Sequence, residues 1–221
     1  MAGSRERWRD AGKLFLLALL LTPVTILIHE LGHFAVPLIF DLPVQLHPTT
    51  VSGGARPGSG NPAWMVAAQA GGGPLLTVVM GLVGGWLFVR EGRQLWAFAF
   101  AAAAVSRLLV TTGYLAVRLL FAVQGRRFNG TPNFDEHNIA RALGFSPVIA
   151  SIVATGFLAL LLFWLFRRVE RGSRLLFAFT LTLAIGIGNV AWPALAPSVL
   201  ATNGPVVTDS SPSWAAPSAA G

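Results

Sequence analysis

The residues best placed to do chemistry are His29-Glu30-Leu31-Gly32-His33, an H-E-x-x-H run. On a helix, positions i and i+4 share a face, so both imidazoles can reach one ion. Neutral imidazole suits zinc at about 2.0–2.1 Å. Glu30 follows the first ligand directly and can take a proton from water, whose pKa a bound metal brings down towards ~7. Cysteine is absent, so a metal must be held by His, Asp or Glu. A catalytic zinc commonly takes three protein ligands and keeps one position open. The third must then come from elsewhere in the chain. Asp135, Glu136 and His137, consecutive in Asn133-Phe134-Asp135-Glu136-His137-Asn138, are the candidates, with His47 a further histidine in an earlier loop.

The elements that would carry these residues are apolar. Of 221 residues, 54% are hydrophobic and 11% charged, against about 25% charged in a typical soluble domain. Mean hydropathy is +0.64. The apolar residues cluster in blocks at 14–40, 63–89, 95–123, 145–166 and 175–200, each of the roughly 20 residues a helix needs to span a bilayer, or longer. The expected fold is an all-α, multi-pass integral membrane protein of about five transmembrane helices, with Pro23 kinking the first. A basic segment, 1–13, precedes them, and a Ser/Pro/Ala-rich tail, 201–221, reads as disordered. The loop 41–62 is Gly/Pro-rich, and Pro43–His47 alternates weakly, as a short strand would. An ordinary soluble enzyme and a nucleic-acid module are both excluded. The net charge of +7 comes from basic residues at the ends of apolar runs, where membrane topology accounts for them. With five spans, most Lys and Arg fall on the side of the N-terminus, which the positive-inside rule makes cytoplasmic.

The H-E-x-x-H run lies inside the first block, where ionisable residues are costly unless paired or coordinated. Three crossings bring the 124–144 loop to the end of the bundle towards which His29 lies. Asp135 can also cap a helix over Glu136–Leu143. Gly71-Gly72-Gly73-Pro74 lies within the second block. Glycines there allow close helix packing, and a break at Pro74 would expose backbone groups to an extended peptide. Arg107 reads as a structural counter-charge, Arg118 as close enough to a helix end to reach the headgroups, and Asn189 as an interhelical hydrogen-bonder.

His29, Glu30 and His33 on the first hydrophobic helix, Gly73-Pro74 on the second and a later Asp135 together resemble the site-2 protease family of intramembrane zinc metallopeptidases. The stretch Asp135–Gly144 looks like the Asp-led segment of its compact bacterial members. The resemblance implies a zinc held by His29, His33 and Asp135, with Glu30 activating water. It also implies Gly73 and Pro74 beside the substrate, a membrane-protein or peptide substrate, and residence in the bacterial cell membrane. No nucleic-acid partner is expected. Two positions differ: Thr77 stands in the region where the family's Gly-Pro element continues to an Asn, and Asp135-Glu136 replaces an Asp-Gly pair. These differences motivate an alternative, a metal-binding scaffold without protease activity. A transporter using the same intramembrane His, Glu and Arg residues is a third reading.

Overall fold

A computed structural model describes residues 3–199 apart from 57, 59, 93, 127 and 129–133, with backbone only for 197–199. The expected tail, 201–221, lies outside the described residues, as does Asn133. Nearly all of the rest is helix. The elements are α1 (Ser4–Ile39), β1 (Val44–His47), β2 (Thr50–Gly53), α2 (Ala63–Arg90), α3 (Leu95–Ala104), α4 (Arg107–Val123), α5 (Asp135–Leu143), α6 (Pro147–Arg168) and α7 (Arg174–Val199). A 3-10 turn, Arg171–Ser173, leads into α7. Among the described residues, five helical stretches are long and apolar enough to cross a membrane: α1, α2, α3 with α4, α6, and α7 with its leading turn.

The basic segment is not separate from the first span. Helix α1 starts at Ser4 and runs for 36 residues, about 54 Å at 1.5 Å per residue. That is longer than one crossing of the roughly 30 Å hydrocarbon core of a bilayer requires. The helix continues through Pro23 and Pro37 without a break. Arg7 donates to the Gly172 carbonyl at 3.1 Å, fastening the N-terminal end of α1 to the α6–α7 connection. At the other end of the bundle, Trp192 Nε1 donates to the Pro48 carbonyl at 3.1 Å, tying α7 to the tip of the hairpin. These two bonds place the N-terminus and the α6–α7 loop at one end, and the hairpin at the other.

Helix α3 fills the middle. Its sequence, Leu-Trp-Ala-Phe-Ala-Phe followed by four alanines, has side chains short enough for α1, α2 and α7 to pack around it. Ala97, Phe98, Ala99, Ala101 and Ala103 are fully buried, and Phe98 packs among Phe88, Phe166 and Phe177. Leu14 and Ala18 of α1 and Leu165 of α6 complete this core. The outer surface is apolar too: Leu20, Trp86, Leu160, Phe163 and Phe179 are all exposed. Water would penalise such a surface, whereas lipid tails solvate it.

The block expected as one helix over 95–123 is two. Helix α3 ends at Ala104 and α4 begins at Arg107, with Val105 and Ser106 between them. Irregular backbone at membrane depth is tolerated where it is buried or lines a cavity. Val105 is buried, and Ser106 and Arg107 line a cavity beside His29. The expected short strand is half of an antiparallel hairpin in which Val44 faces Gly53 and His47 faces Thr50.

Candidate metal centre

Helices α1 and α2 meet without side chains at their crossing. A Cβ on Gly32 would overlap the Gly72 carbonyl, and one on Gly72 would overlap the Gly32 carbonyl. This contact sets His29 and His33 against α2 at a spacing that larger residues would prevent. Gly73 lies directly beneath the rings, where a Cβ would sit 2.6 Å from His29 Nε2. The glycine run therefore serves close packing. Helix α2 is continuous across Pro74, and the expected break there is not present.

Both imidazoles are oriented from α2. His33 Nδ1 lies 2.7 Å from the Gln69 carbonyl. A carbonyl only accepts, so Nδ1 carries the proton and Nε2 keeps its lone pair. His29 Nδ1 lies 2.8 Å from Thr77 Oγ1. Thr77 thus fixes the first histidine. Partners of this kind hold a metal-ligating ring in place, and losing one costs about 10–100-fold in metal affinity. Thr77→Val should weaken metal binding by that order, read by titration against a chelator. Unchanged affinity would remove Thr77 from the site.

The third ligand arrives on α5. Phe134 occupies the N-cap position, not Asp135, which is the first helical residue and turns its carboxylate to the rings. Gly144, at φ 77°, closes the helix in the left-handed conformation that glycine adopts without strain. The donor atoms form a near-equilateral triangle. His29 Nε2 and His33 Nε2 are 3.1 Å apart, and Asp135 Oδ2 lies 3.1 Å from the first and 3.2 Å from the second. A tetrahedral ion with ligands at about 2.0–2.1 Å separates them by about 3.3–3.4 Å. Among the described residues, His29, His33 and Asp135 form the group able to hold a metal ion. Burial pushes the Asp135 carboxyl up, but the two imidazoles beside it and the charge of Arg107 outweigh it. The group is held well below the usual carboxylate range, in the anionic form a metal ligand requires.

The alternative ligands lie elsewhere. His137 Nε2 is 2.8 Å from the hydroxyl of Ser151, and its ring packs on Tyr114 and Phe134. Glu136 turns towards Arg107, with Oε2 3.5 Å from Nη2. His47 is on the hairpin, bonded to Ser52 Oγ at 3.0 Å. Arg107 enters the site itself: its Nη1 meets Asp135 Oδ2 and lies 2.7 Å from His29 Nε2. The only sequence signal for this was an arginine inside an apolar block. Arg118 donates to the Tyr114 hydroxyl at 2.9 Å. Asn189, expected to bond between helices, donates to the Ile185 carbonyl of its own helix.

Two cavities adjoin the triad. A cleft of about 530 Å³ is lined by His29, Glu30, His33 and Asp135 on one side and by Thr49, Thr50, Val51 and Arg56 of the hairpin region on the other. A second, of about 220 Å³, includes Glu30, Thr77, Ser106, Arg107 and Asn189. Glu30 is common to both. The first cavity reaches all three members of the triad and the second reaches His29, and the Glu30 carboxyl that borders both is not one of the three candidate ligands. No protein-family model matches the chain, and it matches neither a curated protein nor a solved structure.

Proposed function

We propose that this chain is an intramembrane zinc metalloendopeptidase of the site-2 protease type, hydrolysing peptide bonds of membrane-protein substrates. The observation that carries the reading is the convergence of His29 Nε2, His33 Nε2 and Asp135 Oδ2 beside Glu30, within a bundle whose outer surface is apolar. Two neutral imidazoles and one carboxylate are a donor set that zinc accepts, with a position left open. When bound, zinc would supply Lewis acidity to the scissile carbonyl and lower the pKa of water at the open position.

The rest falls to the chain's own residues. Glu30 takes the proton from the attacking water and returns it to the leaving amine. Thr77 and the Gln69 carbonyl hold the two rings so that Nε2 faces the cleft. Strand β2 borders the same cleft and offers an edge for an extended peptide. A substrate helix must unwind to use it, because a helix engages its own carbonyls.

Elemental analysis of detergent-purified protein tests the premise. About one zinc per chain is expected, lost in His33→Ala. A wild-type protein that takes up no zinc, even after reloading, would make the triad a polar packing cluster and end the peptidase reading.

A further inference from the structure

Arg107 is not explained by a metal centre alone. Its Nη1 contacts Asp135 Oδ2 and His29 Nε2, two of the three donor atoms. The guanidinium is permanently charged and only donates, so it draws on the lone pairs that a metal ion would take. A cation held there also repels a divalent ion placed among the same ligands. The neighbouring carboxylate offers another seat. Glu136 is 8% exposed, its Oε2 lies 3.5 Å from Arg107 Nη2, and its Oε1 is buried with no hydrogen-bond partner among the described residues. An unsatisfied buried carboxylate oxygen is costly, and a two-pronged guanidinium–carboxylate pair would relieve it. Asp135 and Glu136 are adjacent at the start of α5, so a small shift of the arginine head exchanges one carboxylate for the other.

We infer that Arg107 competes with the metal ion for Asp135 and His29, and that Glu136 receives the guanidinium when the ion binds. The pair then sets how tightly the centre holds its metal. This rests on the metal-centre reading above. It also reverses the usual sign: an ordinary outer partner strengthens binding and its loss costs about 10–100-fold, whereas losing a competitor tightens binding.

The test is the zinc dissociation constant of the full chain in detergent, measured by competition with a chromophoric chelator. Wild type is compared with Arg107→Gln, Glu136→Gln, the double variant and His33→Ala. Arg107→Gln should bind zinc about tenfold tighter or more. Glu136→Gln should bind about tenfold weaker, because the guanidinium loses its alternative seat. In the double variant the Glu136 effect should vanish, since no arginine remains to be seated. Unchanged or weaker binding in Arg107→Gln would overturn the inference and make Arg107 a bystander or a support for Asp135. If that variant does not fold, unchanged or tighter binding in Glu136→Gln overturns it instead. Zinc bound by wild type and lost in His33→Ala, with no arginine effect, sinks this inference alone. No zinc in any protein sinks the metal centre with it.

Discussion

If the chain is the proposed peptidase, Glu30→Gln should retain zinc and lose peptide cleavage, by about 10²–10⁴-fold for a role confined to proton transfer. The substitution keeps the size of the side chain and removes its ability to take a proton. The group able to hold the ion is His29, His33 and Asp135, so an ion bound there should stay. Glu30 borders both cavities beside the triad, where water from either side can reach it. The measurement pairs elemental analysis with cleavage of a single-pass membrane reporter in proteoliposomes. Full activity in the variant would discard Glu30 as the base. Loss of zinc would make it a ligand. A zinc-loaded wild type that cleaves no membrane reporter would favour the non-proteolytic scaffold, and zinc flux into the vesicles would favour a transporter.

Hydrophobic blocks of spanning length made the helical membrane fold legible, because in lipid every backbone polar group must be satisfied within its own segment. The helix-period spacing of His29 and His33 likewise made two members of the candidate metal group legible. What the sequence could not show depends on which helices become neighbours. The Ala-rich stretch of α3 reads as one more apolar run, yet it is the buried centre of the bundle. Hydropathy does not distinguish a lipid-facing alanine from one packed among three helices. The division at Val105–Ser106 was hidden for the same reason, as Arg107 is the lone charge beside it in an otherwise apolar stretch.

The site was legible in proportion to how local it is. Asp135 lies more than 100 positions from His29, and nothing in Asp135-Glu136-His137 alone selects among the three. The choice is made by the facing of α5: its first residue turns to the histidines, while the third packs against Ser151 and Tyr114. Thr77 and Gln69 carry even less signal. Thr77 acts through a hydroxyl that many helix threonines turn to their own backbone, and Gln69 acts through a carbonyl that every residue possesses. Arg107 was visible as an anomaly, but its partners lie on α1 and α5.

Three consecutive glycines in α2 should respond to the same substitution in three different ways. At Gly71 an added Cβ meets only Ile139 Cδ1, at 3.9 Å, an ordinary contact. Gly71→Ala should therefore be neutral, or slightly stabilising through helix propensity. At Gly72 the added atom would overlap the Gly32 carbonyl and come within 3.2 Å of His33 N. Backbone cannot rotate away, so α1 and α2 must separate, at a cost of about 1–3 kcal/mol or more. A lower melting temperature is expected for Gly72→Ala, together with weaker metal binding. At Gly73 the obstacle is the pair of imidazoles: the Cβ would stand 2.7 Å from His29 Cε1 and overlap His33 Nε2. Side chains can move where backbone cannot, so Gly73→Ala should fold near normally. The rings would be displaced from the point they share with Asp135, and zinc affinity should fall by at least about 100-fold, since a ligand's misplacement costs no less than losing its outer support. Melting curves and chelator titrations of the three variants separate these effects. Equal behaviour of Gly71→Ala and Gly73→Ala would mean that the imidazoles do not stand over α2, and the geometry of the centre would have to be redrawn.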